Sequence, residues 1–152
     1  MEKHREKIEY YGGVMENMGF TPVAARVFVY ILLSPDQQVT FEDLVAYFNV
    51  SKSAVSNALK MLTTTQMVES KTIGGQRKRY FSVNFDTLFS EEQLKQKFTV
   101  FHTMLDDIKT SRGLDDEFGR SLGYVANLYK MMIVELPIII DRWKRTIEMD
   151  KK

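Results

Sequence analysis

The sequence predicts a mainly helical protein with one small β-hairpin, on three observations. Apolar residues recur every three or four positions through most of the chain, the spacing of helices with one buried face. Two short helical segments between residues 40 and 63 are separated by a turn of only three or four residues. Strand-like segments at residues 67–72 and 77–83 flank Gly74-Gly75 and indicate a hairpin. Together these features predict a helix-turn-helix followed by a β-hairpin wing.

The composition restricts the class of protein. The chain has 152 residues, enough for one domain with a core but too few for two ordinary enzyme domains. No cysteine is present, so disulfides, thiolate metal sites and a cysteine nucleophile are excluded. The N-terminal segment lacks the apolar core of a signal peptide, and the longest apolar run, residues 131–140, is about half the roughly 20 residues that span a membrane. We expect a soluble, cytoplasmic protein without a membrane partner.

Positive charge is concentrated in the middle of the chain. The net charge is +1, but residues 21–85 contain seven Lys/Arg against four Asp/Glu. The segments on either side each contain one more acidic residue than basic residues. A local positive field of this kind is typical of a surface that contacts nucleic acid.

Two predicted helices precede the turn. The first covers residues 2–18, and its apolar stripe needs a partner surface. The stripe consists of Ile8, Tyr11, Met15 and Met18. The second covers residues 22–33, begins after the capping residue Thr21 and ends before Pro35.

The helix-turn-helix has recognisable end signals. Thr40 and Asp43 form the pattern of a capping box at the start of the third helix. That helix ends near Asn49, a residue type that tolerates the left-handed conformation, and Ser51 then caps the fourth helix. The two helices are therefore close enough in sequence to form one DNA-binding motif.

Two long helices close the chain. Ser90 and Gln93 form the capping pattern of the first, and Gly113 ends it. The apolar positions of the second recur at steps of three and four: Phe118, Leu122, Val125, Tyr129, Met132, Leu136, Ile139 and Trp143. We expect this seam to mediate homodimerisation together with Ile8, Tyr11 and Met15 of the first helix. The alternative is a helical hairpin in which the two helices pack on each other within one chain.

The fourth helix, within residues 52–63, has a distinct inside and outside. At 100° per residue, Val55, Leu59 and Leu62 fall on one side with Ala58 beside them. The other side carries hydroxyls, an amide and lysines but no acidic residue, unlike an ordinary solvent-exposed face. In a major groove, asparagine can pair with adenine and lysine can reach guanine or phosphate, whereas a serine-rich surface without a role is the alternative. The candidate DNA contacts are Ser51, Lys52, Ser53, Ser56, Asn57, Lys60 and Thr64.

The hairpin supplies a second set of candidates. Basic side chains at its tip can enter a minor groove or contact phosphates, although a basic turn alone is usually only solvated. These candidates are Gln76, Arg77, Lys78 and Arg79. The combination with a helix-turn-helix favours DNA binding.

The stretch from Gly19 to Val83 resembles winged-helix regulators of the MarR type, and more narrowly their GbsR-like branch. The residues that carry the resemblance are MGFTPVAARVFVYILLSPDQQVTFEDLVAYFNVSKSAVSNALKML and GGQRKRYF. The resemblance implies a homodimeric transcriptional repressor that binds an inverted-repeat operator, with residues 52–63 in the major groove and the Arg77 wing beside it. The branch is associated with genes for the uptake and synthesis of osmoprotectants.

The resemblance also implies a division of the chain. Residues 1–19 would be an N-terminal dimerisation helix, residues 20–85 the winged helix-turn-helix DNA-binding domain, and residues 86–152 a C-terminal helical dimerisation region. Many such regulators bind a small effector, whose identity the sequence does not give, and no cofactor is expected. The aromatic candidates for a cage around a quaternary ammonium group are Tyr10, Tyr11, Tyr124, Tyr129 and Trp143, although heptad spacing favours a core role for the last two.

Other classes of protein are less consistent with the sequence. An enzyme is not expected, because His4 and His102 have no neighbouring nucleophile, metal or phosphate-binding pattern. A metal sensor is disfavoured by the absence of cysteine, although acidic pairs at 106–107 and 115–116 leave carboxylate ligands open. The main alternative is a winged-helix module that binds an acidic protein surface instead of DNA.

Overall fold

The computed structural model describes residues 1–72, 74 and 78–150, the last without its side chain. These residues form two compact units, Met1–Leu88 and the chain from Phe89 onward. Helices predominate in both units, and the first also contains a small antiparallel sheet. The predicted fold class, mainly helical with a winged helix-turn-helix core, is confirmed.

The first unit contains five helices and three strands among its described residues. A 3-10 turn at Glu2–His4 precedes them. The elements are α1 (Arg5–Asn17), α2 (Pro22–Leu33), β1 (Gln38–Thr40), α3 (Phe41–Phe48), α4 (Lys52–Thr64), β2 (Glu69–Thr72), β3 (Arg79–Ser82) and α5 (Phe85–Leu88). The helix-turn-helix therefore consists of α3 and α4, and β2 and β3 form the hairpin.

Local hydrogen bonds fix the ends of these helices as the sequence predicts. The Thr40 hydroxyl accepts a hydrogen bond from the Asp43 amide at 3.2 Å, and the Asp43 carboxylate accepts one from the Thr40 amide at 2.9 Å. Asn49 ends α3 in the left-handed conformation, with φ 49°. Ser51 caps α4 by accepting from the Ala54 amide at 3.2 Å. The predicted capping box and turn are confirmed.

The sheet has the strand order β1-β3-β2, and both pairings are antiparallel. Ser82 pairs with Glu69 in β2 and with Gln38 in β1. The predicted hairpin is confirmed, although both strands are shorter than the sequence indicated. Neither β1 nor α5 was predicted, because elements of three and four residues are too short to show a periodic pattern.

The core of the first unit includes residues from all four of its longer helices. The largest fully buried side chains are Ile8, Val27, Ile31, Leu44, Val55 and Leu62. Ile8, which the sequence placed in a dimer seam, is covered by its own chain because α1 packs against α2. By contrast, Tyr11 remains exposed and Met15 is half-buried against the core.

One arginine joins α1 to α2. The Arg26 guanidinium pairs with the carboxylate of Glu9 at 2.6 Å and with that of Glu16. These two hydrogen bonds, that to Glu16 first, raise the pKa of Arg26. The Arg26 side chain crosses α1 at Gly12, where a Cβ atom would lie 2.7 Å from Arg26 Cγ.

The second unit contains two long helices, α6 (Glu91–Arg112) and α7 (Glu117–Asp150). Ser90 caps α6 by accepting from the Gln93 amide at 3.2 Å, and Gly113, with φ 61°, ends it. The helices pack on each other: Tyr129 stacks on Phe101 with ring centroids 5.3 Å apart. The alternative of a helical hairpin within one chain is therefore observed.

Packing on α6 covers only part of the apolar surface of α7. In the predicted seam, Leu136 is buried and Leu122 and Tyr129 are half-buried. The other seam residues are exposed: Phe118, Val125, Met132, Ile139 and Trp143. A second exposed stripe, absent from the prediction, contains Tyr124, Leu128, Met131, Val134 and Ile138.

By length and composition alone, α7 is long and apolar enough to cross a membrane. Within Glu117–Met149, an 18-residue window has a mean hydropathy of 1.3, and 17% of that window is buried. A single helix of this kind is weak evidence for a membrane span. An exposed apolar surface of this kind is also what a helix needs to associate with another helix.

Candidate nucleic-acid interface

The fourth helix, α4, separates its residues as the sequence predicts. Val55, Leu59 and Leu62 are buried together with Ala58. The candidate DNA contacts on the other side are all exposed: Ser51, Lys52, Ser53, Ser56, Asn57, Lys60 and Thr64. The buried side of α4 is thus confirmed, and a polar face without carboxylates is available to a partner.

Not every hydroxyl of this face is free to bind a base. The Ser51 side chain accepts from the Ala54 amide and lies 3.0 Å from the Ser53 hydroxyl. Ser56, Asn57 and Lys60 have no side-chain hydrogen bond or salt bridge within the described part of the chain. Ser51 therefore has a structural role in capping, whereas Ser56, Asn57 and Lys60 are among the unengaged side chains and are stronger candidates for base contacts.

The wing presents its charge at the start of β3 and at the residue before it. Lys78 and Arg79 are exposed, and among the described residues neither forms a salt bridge. Lys71 of β2, by contrast, pairs with Glu69 at 3.1 Å, and this hydrogen bond lowers the pKa of Glu69. The other two predicted wing residues, Gln76 and Arg77, lie outside the described residues.

A groove of about 490 Å³ lies between α4 and the wing. Its walls come from the start of α3, the exposed face of α4 and the strands β2 and β3. The lining residues are Phe41, Glu42, Ser56, Leu59, Lys60, Thr63, Ser70, Lys78, Arg79 and Phe81. The fold therefore brings Lys60 of the predicted recognition helix into one groove with the predicted wing residues Lys78 and Arg79. Such a groove can hold an anionic group such as a phosphate.

The carboxylate of Asp43 borders this positive field. Hydrogen bonds from the Thr40 hydroxyl, and then from its backbone amide, lower the pKa of Asp43. The positive charge of Lys78 lowers it further, which shows that the wing strand passes near the start of α3. The Asp43 carboxylate accepts the hydrogen bond of the capping box, so its charge stabilises the N-terminus of α3.

A known protein family is similar to part of the first unit. A model of the MarR family matches residues 18–79. These residues are similar to a MarR-family domain. The match contains α2, α3, α4 and β2, and with them every predicted recognition-helix contact.

One solved structure is similar in fold to nearly the whole chain. This structure, described as a transcriptional regulator, is 19% identical with a TM-score of 0.82, and the alignment covers 94% of this chain and 99% of that one. At this identity the likeness shows the fold. A transcriptional regulator from Thermotoga maritima is 17% identical with a TM-score of 0.44, covering 86% of this chain and 89% of that one. A search of curated proteins gave no significant match.

Residues that the sequence linked to other chemistry lie elsewhere. Tyr129 packs with Phe98 and Phe101 in the helix pair, and the His102 Nδ1 atom lies 3.0 Å from the Ala126 carbonyl oxygen. Within the described ranges, no group of three or more His, Asp or Glu side chains is placed to hold a metal ion.

One charged residue of the groove was missed by the sequence analysis. Glu42 lies in the first turn of α3, where an acidic residue already has an ordinary explanation in the helix dipole. No signal in the sequence links it to Lys60 or to β3, because the three elements meet only in the folded unit. The structure adds Glu42 to the candidate interface.

Proposed function

We propose that the protein is a sequence-specific double-stranded DNA-binding transcription regulator that acts as a homodimer on an inverted repeat. The observation that supports this most is the exposed face of α4, which has no carboxylate and shares a groove with Lys78 and Arg79 of the wing. The similarity of residues 18–79 to the MarR family supports a regulator that binds and does not catalyse.

In this proposal α4 enters the major groove. Asn57 can form two hydrogen bonds with adenine, and Lys60 can reach guanine or a phosphate. Ser56 is small enough to let the helix backbone approach the base edges. The wing, with Lys78 and Arg79 and the predicted contacts Gln76 and Arg77, would lie against the neighbouring backbone and minor groove.

The apolar surface of α7 supports the dimer. Two adjoining grooves of about 290 and 390 Å³ lie on the helix pair, and Leu136 and Ile139 line both. Apart from Glu135, the lining side chains of both grooves are apolar. A second copy of the chain would cover this surface and place two copies of α4 about one helical turn, roughly 34 Å, apart on DNA.

The finer assignments follow from the sequence resemblance. We infer a repressor of the GbsR-like branch, whose association with osmoprotectant genes suggests where operators lie. A reporter gene placed behind a selected operator should fall in expression when the protein is produced. Fragments of the source genome bound by the protein should lie beside genes for osmoprotectant uptake or synthesis; fragments beside unrelated genes would argue against the branch but not against DNA binding.

The central test is selection of duplexes from a random library, followed by binding measurements against a scrambled duplex of the same composition. We expect a selected inverted repeat to bind at least about a thousandfold more tightly than the scrambled duplex, with both affinities falling steeply as salt rises. Equal binding of the two duplexes at every salt concentration would contradict sequence-specific recognition.

Substitution of Asn57 tests the role of α4. We expect Asn57→Ala to weaken operator binding by about 1–3 kcal/mol and to leave scrambled-duplex binding nearly unchanged, because asparagine reads a base edge. Asn127→Ala, which removes the same side chain from α7 in the second unit, is the matched control and should alter neither affinity. Lys60→Ala should also lower operator binding more than scrambled binding.

The alternative of a protein-binding module makes a different prediction. Its basic wing would meet an acidic protein, so duplex selection would yield no enriched sequence. Substitution of Lys78 or Arg79 would then reduce binding to that protein without any dependence on duplex sequence.

A further inference from the structure

We propose that Glu42 is a specificity-determining residue, whose carboxylate weakens binding to DNA of arbitrary sequence more than binding to the operator. The inference rests on the proposed DNA-binding function. It assigns a role to Glu42, which among the described residues of the groove is the one with the same negative charge as DNA.

The geometry sets Glu42 apart from the other acidic residues of the first unit. Among the described residues that line the groove of about 490 Å³ between α4 and the wing, it is the only acidic one. Its side chain is exposed and forms no salt bridge within the described part of the chain. The neighbouring Asp43 is turned into the capping box with Thr40 instead. Within the described part of the chain, Glu42 therefore presents a negative charge without an ion-pair partner to whatever enters the groove.

The same groove holds the cations that attract DNA. Lys60, Lys78 and Arg79 line it, and Lys78 is near enough to the start of α3 to lower the pKa of Asp43. Phosphates supply most of the affinity for DNA of arbitrary sequence. In such complexes the DNA backbone is drawn toward the cations without any base contact to fix its position.

Glu42 opposes this attraction selectively. A phosphate drawn to the cations of the groove also approaches the Glu42 carboxylate that lines it, and the two negative charges repel each other. In the operator complex, base contacts from α4 hold the duplex in one register, so the backbone is not free to move toward Glu42. Removal of the charge should therefore favour binding to arbitrary sequences more than binding to the operator.

The experiment compares Glu42→Gln with the wild type on the selected operator and on its scrambled duplex. At low salt we expect affinity for the scrambled duplex to rise about three- to tenfold and that for the operator less than about twofold, as gain of one phosphate contact implies. The salt dependence of scrambled-duplex binding should steepen by about one unit of log–log slope. Glu42→Asp keeps the charge and should keep most of the discrimination.

Glu6→Gln is the matched control, because Glu6 is exposed on α1 and the substitution changes the net charge equally. It should alter neither affinity more than about twofold, as expected for a charge that makes no phosphate contact. Thermal melting of Glu42→Gln checks that the capping box is intact.

Two results would overturn the inference while leaving the proposed function intact. An equal change of both affinities by Glu42→Gln would show that the carboxylate does not discriminate. A loss of operator affinity alone would show that Glu42 contacts a base in the operator. If the wild type itself fails to prefer the selected operator, the proposed function and this inference fall together.

Discussion

Thr40 and Asp43 show how a few side chains determine where the helix-turn-helix begins. The Thr40 side chain is almost fully buried, and each residue accepts a hydrogen bond from the backbone amide of the other. These bonds satisfy two amide groups that the first turn of α3 would otherwise leave without partners. The capping box thus fixes the first turn of α3, which supplies Glu42 to the groove between α4 and the wing.

Removal of the Thr40 hydroxyl should lower stability in a pH-dependent manner. Because the Thr40 bonds lower the pKa of Asp43, the part of the stabilisation that depends on the carboxylate is complete above the ordinary carboxyl pKa of 3.8 and is lost as the pH falls through the lowered pKa. We expect Thr40→Val to cost about 1–2 kcal/mol at pH 7 and less below the lowered pKa of Asp43, measured by denaturant unfolding. Ser51→Ala removes a cap without a titratable partner, and its cost should not vary over this range. A pH-independent cost for Thr40→Val would contradict the assignment.

At this scale the sequence was informative where the chemistry is local. Thr40, Asp43, Asn49 and Ser51 act on backbone groups within three or four residues, so their roles could be predicted from spacing alone. The role of Glu42 could not, because its partners in the groove belong to α4 and β3.

The contact between α1 and α2 also depends on residues distant in sequence, so it could not be predicted from local spacing. Arg26 of α2 pairs with Glu9 and Glu16, which lie on either side of Gly12 on α1. Two consecutive glycines in a helix disfavour it by about 1 kcal/mol each relative to alanine. The structure explains one of them, since Gly12 leaves room for the Arg26 side chain, whereas a Cβ added at Gly13 would have no neighbour within 4 Å.

Alanine at these two positions should therefore have opposite effects. Gly13→Ala should raise the free energy of unfolding by up to about 1 kcal/mol, since it adds helix propensity at no steric cost. Gly12→Ala should lower it, because its Cβ would lie 2.7 Å from Arg26 Cγ, near the fixed base of a side chain that two carboxylates hold. Denaturant unfolding of both variants measures the difference. Equal stabilisation by both would show that Arg26 moves aside freely.

Long amphipathic elements were predictable, and short ones were not. The helices α2, α4, α6 and α7 each span at least three turns, so the apolar spacing repeats often enough to be recognised. β1 is three residues long, and it forms because β3 offers it an edge to pair with. Its existence depends on a partner some forty positions away in the sequence.

At the scale of the whole molecule, the main question posed by the fold is what covers α7. The sequence predicted an apolar seam and offered two uses for it, a dimer or an internal hairpin. The structure shows that α6 covers one side of the seam, at Leu136 and Tyr129, and leaves Ile139 57% exposed. Periodicity alone could not show how the surface is divided, because it specifies an apolar side without identifying the helix that packs there.

A charged residue at position 139 should disrupt the proposed dimer without disrupting the internal hairpin of α6 and α7. We expect Ile139→Glu to make the protein monomeric at micromolar concentration in sedimentation experiments, while helix content and the hairpin persist, because Ile139 is exposed in the single chain. Lys130→Glu, on the opposite face of the same helix, should leave the dimer intact. A wild-type protein that is monomeric under these conditions would contradict the proposed dimer.

The uncovered face of α7 also bears on how the protein would respond to its own abundance. When monomers must pair before they bind, the occupied fraction of an operator rises with roughly the square of the monomer concentration at low levels. A modest change in synthesis or turnover would then produce a disproportionate change in gene expression. That apolar surface, together with the contacts to the operator, would determine the cellular concentration at which regulation begins.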